Sequence, residues 1–279
     1  MIAKDPAEHR WVRVAQTHSR GLFLLCWFLG TLLVAFLVIP LIGLALSESR
    51  RSLTDVARMG DVRDAIALSL EGAFLSAALA ALVGVPLAYG LARTTFPGKS
   101  VVAALVDLPL AVPHTVAGIA LLIVLGRQGV LGQPLQALVG VKFWGTLAGI
   151  VAAMLFVSAP YTVNAARIGF EAVDPRLEKV ARTLGLGPWR TFARITLPLA
   201  RRSVMTGLTL TYARSISEFG AVVILAYYPM TAPVKVYELF LRFGLHQAAS
   251  ASVLLLVVSL ALFLILRALS RATPPRENR

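Results

Sequence analysis

Six long stretches of this chain are almost free of charge, and no other feature limits its fold so tightly. They run at about residues 21–46, 65–92, 101–125, 145–168, 203–228 and 249–270. Each is as long as the ~20 apolar residues that a helix needs to cross a bilayer. The expected fold is therefore all-α and integral to the membrane, with six transmembrane helices. Composition agrees, since only 15% of residues are charged, against about 25% in soluble domains. The first stretch follows a charged start but exceeds the ~7–15 apolar residues of a signal peptide, and no A-x-A site follows it, so it reads as a retained helix.

Orientation follows from where lysine and arginine fall. With the N terminus placed in the cytoplasm, 18 of the 27 cationic residues lie on inner segments, 8 lie on outer ones, and Arg214 lies inside a span. Both termini are then cytoplasmic. The expected layout is an inner segment at 1–20, a single transmembrane domain at 21–270 and an inner tail at 271–279. The net charge of +13 sits in short blocks between apolar stretches, as basic inner loops of a membrane protein require, so no nucleic-acid partner is expected. The only cysteine, Cys26, lies in the first span, which excludes a disulfide framework and a cysteine-based metal site.

Between the fourth and fifth spans the chain reads LEKVARTLGLGPWRTFARITLP, Leu177 to Pro198. Asp174-Pro175 ahead of it is a helix start. Leu177, Val180, Ala181 and Leu184 then recur at helical spacing, with Arg176, Lys179, Arg182 and Thr183 on the other side. Gly185 can take the left-handed conformation that ends a helix, and Gly187-Pro188 leads into a second helix carrying Trp189, Phe192 and Ile195. Pro198 is expected to kink or stop that second helix. A basic, amphipathic helix pair can lie on the membrane surface among lipid headgroups. It can equally form an elbow that docks into a partner protein through Leu184, Leu186, Trp189 and Phe192.

This stretch resembles the cytoplasmic EAA loop of binding-protein-dependent ABC-transporter permeases, in which Glu-Ala-Ala, three residues, Gly and nine residues precede Ile-x-Leu-Pro. Gly185 and Ile195-Thr196-Leu197-Pro198 match with the nine-residue gap intact. The motif's Glu, however, falls on Lys179 and its Ala residues on Val180 and Ala181, while the acid stands one place earlier at Glu178. The resemblance implies a permease domain with a coupling loop at about 171–200. In that loop Glu178, Ala181, Leu184, Gly185, Leu186, Trp189 and Phe192 would couple to an ATPase. It also implies two ATPase subunits holding ATP and Mg, an extracytoplasmic binding protein, and a second permease copy, with no cofactor in this chain. Thr94–Leu122, Phe170–Gly185 and Ala213–Pro233 are similar to the molybdate and tungstate branch, close to sulfate permeases, most of all at Ser217-Glu218-Phe219-Gly220-Ala221.

Charges inside spans cost about 2.5–3.5 kcal/mol each at the helix centre and should face the bundle interior and pair. Arg214 and Glu218 lie four residues apart on one helical face, and Asp107 lies in another span. Arg214 paired with Glu218 or Asp107 would be a structural lock or a gate element. Pro109 and Pro113 should break the third span, and such breaks are tolerated where backbone is buried in protein or lines a cavity. Asp107, Pro109, Pro113, His114, Thr115, Arg214, Ser217 and Glu218 are therefore the pathway or gate candidates, and Glu71 is open to the same two readings. Pro97-Gly98-Lys99-Ser100 imitates the end of a phosphate-binding loop, but Arg93 stands where the first glycine is needed. ATP is thus expected on another subunit. A secondary transporter, the rival architecture, would need no docking elbow.

Overall fold

The computed structural model describes residues 8–271, with side-chain surroundings for 21–268. Most of the tail at 271–279 and the start of the segment at 1–20 lie outside the described residues. The chain divides into two compact units, residues 1–50 and 51–279. The first contains α1 (Glu8–Ser47), whose portion Gly21–Ser47 is long and apolar enough to cross a membrane.

The second unit begins with α2 (Arg50–Arg58) and α3 (Gly60–Leu79). A π-helical turn, Ala80–Gly84, joins α3 to α4 (Val85–Arg93), so that Gly60–Arg93 is one rod of 34 residues. Pro86 sits at the start of α4, and the widened turn ahead of it accommodates its missing N–H. Next come α5 (Lys99–Ala111) and α6 (His114–Leu125), bent by 113° at Val112-Pro113. The short α7 (Gly132–Val139) leads to α8 (Leu147–Glu171). After α9 (Pro175–Thr183) come α10 (Pro188–Thr191), a second π-helical turn (Phe192–Thr196) and α11 (Leu197–Ile216), without interruption. The unit closes with α12 (Gly220–Leu225), α13 (Ala232–Phe243) and α14 (Leu245–Arg271).

The described residues are all-helical apart from their connections. Four helices are long and apolar enough to span, or five if bent α5–α6 is one span. The stretch at 203–228 is not among them. It divides into α11 and α12, and α11 carries three arginines, Arg201, Arg202 and Arg214, in 20 residues.

At the centre lies α8, packed against α3, α4, α5, α6, α11 and α12. Its contacts explain why so apolar a bundle also buries hydroxyls. Ser158 Oγ lies 2.9 Å from Ser215 Oγ, which is 3.2 Å from Ser76 Oγ. Thr162 Oγ1 lies 2.6 Å from Thr211 Oγ1, and all five hydroxyls are buried. In hydrocarbon such interhelical bonds contribute about 0.6 kcal/mol each. They fix the register of α3, α8 and α11, between which Ile150, Met154, Val157 and Ile216 are packed.

Candidate functional site

The predicted elbow is present, in altered form. Asp174 caps α9 through a 2.8 Å bond accepted from the Arg176 N–H. At the other end the Leu186 N–H donates to the Ala181 carbonyl (3.1 Å) and the Gly185 N–H to that of Arg182 (3.0 Å). This paired closure needs a left-handed residue, which Gly185 supplies at φ +86°. Pro198 does not stop the following helix. The π-helical turn at Phe192–Thr196 absorbs its missing N–H, and the helix that begins at Pro188 runs on to Ile216.

The apolar residues of α9 are turned the opposite way from an ordinary surface helix. Leu177, Val180 and Leu184 are exposed, Leu184 at 75%, while Ala181 and Glu178 face the protein. Trp189 joins the outer set at 79% exposure, and Leu186 is half-buried. Phe192, expected among the outward anchors, points inward. Its ring lies 4.7 Å from that of Tyr89 and 5.8 Å from that of Phe170, where burial removes it from water. The outward apolar surface is therefore built from Leu177, Val180, Leu184 and Trp189.

Glu178 is only 6% exposed. Its Oε1 accepts from Arg93 Nε and from Thr196 Oγ1, each at 2.8 Å, and its Oε2 accepts from Tyr89 Oη at 3.3 Å. Arg93 Nη2 also donates to the Val173 carbonyl at 2.8 Å. Burial alone pushes the Glu178 carboxyl up, but the bonds from Thr196 and Arg93 and the Arg93 charge outweigh it and hold the group below the usual carboxylate range.

A second polar cluster forms where two helix breaks meet. Arg214, near the end of α11, donates through Nη2 to Glu218 Oε2 at 2.7 Å and lies 2.7 Å from His114 Nε2. Its Nη1 reaches Ser217 Oγ at 3.3 Å. Glu218 is 1% exposed, and its Oε1 accepts from the Ala221 N–H, 2.9 Å away in the first turn of α12. His114 Nδ1 is 3.4 Å from Glu218 Oε2, so a tautomer protonated at Nδ1 suits both neighbours. The two breaks are held together by glycine. A Cβ on Gly220 would lie 2.7 Å from His114 Cβ, and one on Gly118 would lie 2.9 Å from Ile224 Cβ and 3.0 Å from the Ala221 backbone.

Of the two partners open to Arg214, the structure selects Glu218. Asp107 instead accepts from Asn164 Nδ2 of α8 at 2.6 Å. His114 and Thr115 are exposed at the start of α6 with Pro113, whereas Pro109 stays inside α5, so the 113° bend falls at the second proline. Glu71 is exposed on α3, apart from both clusters. Sequence reasoning missed Arg93, Tyr89, Thr196 and Asn164. The one available hint was the displaced acid itself, since a carboxylate one place out of register on a helix faces another direction.

Among known proteins, the family of binding-protein-dependent transport system inner membrane components matches residues 80–276. The molybdate/tungstate transport system permease protein WtpB of Thermococcus kodakarensis is 46% identical over 241 residues, 86% of this chain and 92% of that protein. The molybdenum transport system permease protein ModB of Escherichia coli K12 is 38% identical over 205 residues, 72% of this chain and 88% of that protein. A crystal structure of a bacterial ABC transporter that imports the acidic polysaccharide alginate superposes with a TM-score of 0.73. It covers 93% of this chain and 98% of its own at 19% identity, which is a likeness of fold.

Proposed function

This chain belongs to the family of binding-protein-dependent transport system inner membrane components and is the permease subunit of an ABC importer; from that premise we propose that its cargo is a tetrahedral oxyanion, molybdate or tungstate. The observation that carries the cargo is the 46% identity, across most of both chains, to a permease whose name specifies those two anions. An extracytoplasmic binding protein delivers the anion, and the permease provides the passage. Two ATPase subunits, which hold ATP and Mg, grip the elbow from the cytoplasmic side, and a second identical chain completes the pathway. ATP hydrolysis belongs to those ATPase subunits and none of it to this chain. Both termini face the cytoplasm of a cell whose inner membrane the protein spans, in keeping with the bias of lysine and arginine.

The arrangement of the two clusters supports this reading. The elbow presents apolar anchors ringed by Arg176, Lys179, Arg182 and Arg190, as a docking surface does. Arg214 and His114 lie at the broken helices, where intramembrane charges commonly mark an ion's path. Proteoliposomes containing this chain, its ATPase and its binding protein should take up molybdate and tungstate only with ATP inside. Equal or preferred uptake of sulfate would move the chain to the sulfate branch. Uptake without the ATPase would make it a secondary transporter.

A further inference from the structure

The buried carboxylate of α9 is tied to three other parts of the protein, and none of its bonds leaves the chain. Arg93 and Tyr89 stand one turn apart at the end of α4, 85 and 89 residues from Glu178 in sequence. Thr196 belongs to the π-helical turn that opens α11, and Val173, held by Arg93, lies between α8 and α9. Around this point Tyr89, Phe170 and Phe192 pack ring against ring. Without these ties α9 would be a nine-residue helix hung between the turns 172–174 and 184–187. So short a helix is marginal by itself. Both Glu178 oxygens are saturated from within the chain, so the acid cannot also meet a docked subunit.

We propose that Glu178 and Arg93 weld the elbow to α4 and α11, so that a push received at Leu184 and Trp189 reaches the spans through this buried ion pair. The proposal rests on the reading of the elbow as an ATPase dock. Glu178 is then a positioning residue: the outer face of α9 grips, and the inner face transmits. Closure of the motor moves α4, α9 and α11 as one body because a carboxylate bonded to all three leaves no slack for α9 to swing alone.

The test uses the full transporter with its ATPase and binding protein in proteoliposomes. Glu178→Gln should lower molybdate imported per ATP hydrolysed by about tenfold, with the ATPase still bound in the purified complex. Arg93→Glu should fail in the same way, and the exchange Arg93→Glu with Glu178→Arg should recover part of the ratio. A helix that merely needed the bond to fold would lose the ATPase together with transport. Spin labels at Val180→Cys and Thr94→Cys, in a Cys26→Ser background, should report one narrow distance that broadens in Glu178→Gln. Should Glu178→Gln fail to fold, Thr196→Val removes one bond without orphaning a charge and should give a smaller loss of the same ratio. An unchanged import ratio with an unchanged label distance would overturn the weld. Loss of ATPase binding in Glu178→Gln would overturn it too, by placing the acid in the dock. Failure of the wild-type chain to retain any ATPase would instead defeat the underlying reading of the elbow.

Discussion

At the level of single residues, the elbow separates two tasks that a sequence motif runs together. Leu184 and Trp189 are large, apolar and exposed, so they are the side chains a partner can desolvate. Truncating central anchors of an interface costs about 2 kcal/mol or more each. The double variant Leu184→Ala, Trp189→Ala should therefore lose its ATPase on purification in detergent while the chain itself still inserts and folds. Retention of the ATPase at the wild-type level would remove these residues from the dock. The pairing of Arg214 with Glu218 was legible from sequence because four residues on a helix bring two side chains to one face. The pairing of Arg93 with Glu178 was not, because 85 residues and a turn of chain lie between them. Phe192 was misjudged for a related reason. Its helical spacing says that it shares a stripe, but only the ring of Tyr89 tells which way that stripe faces.

Helices show the same division between what is local and what is not. The break after α5 follows from Pro113, whose ring also restrains the residue before it, and the bend is where that chemistry puts it. Pro198 carries identical chemistry and breaks nothing, because a π-helical turn had already widened the helix at Phe192–Thr196. That compensation comes from packing on Tyr89 and Phe170, which periodicity does not reveal. The crossing of α6 and α12 is a contact between backbones, made possible by Gly118 and Gly220. Gly118→Val should force the two helices apart, because a Cβ there meets the Ala221 backbone and Ile224. The cost should be about 1–3 kcal/mol, read as an earlier thermal midpoint in detergent. Gly90→Ala on α4, where an added Cβ meets nothing within 4 Å, should leave the midpoint where it is.

On the scale of the whole molecule, charge bias along the chain assigns the elbow and the outer ends of α3 and α13 to opposite sides of the membrane. In a Cys26→Ser background, an impermeant maleimide added to intact cells should label Arg242→Cys and leave Arg176→Cys untouched until the membrane is opened. The reverse pattern would invert the topology and remove the elbow from any cytoplasmic ATPase. The fold class was legible at this scale because long apolar stretches admit few alternatives. The count of spans was harder to read, since α11 mixes arginine with buried hydroxyls and owes its place to α3 and α8 instead of to lipid. The helical path from Pro188 to Ile216 carries one further consequence. A π-helical turn amounts to one residue inserted into a rotating shaft, and each residue turns an α-helix by about 100°. Deleting a single residue between Phe192 and Thr196 would leave every side chain chemically intact, yet the elbow would face about a quarter-turn away from its partner. The angular phase between motor and membrane is thus written in the length of one turn.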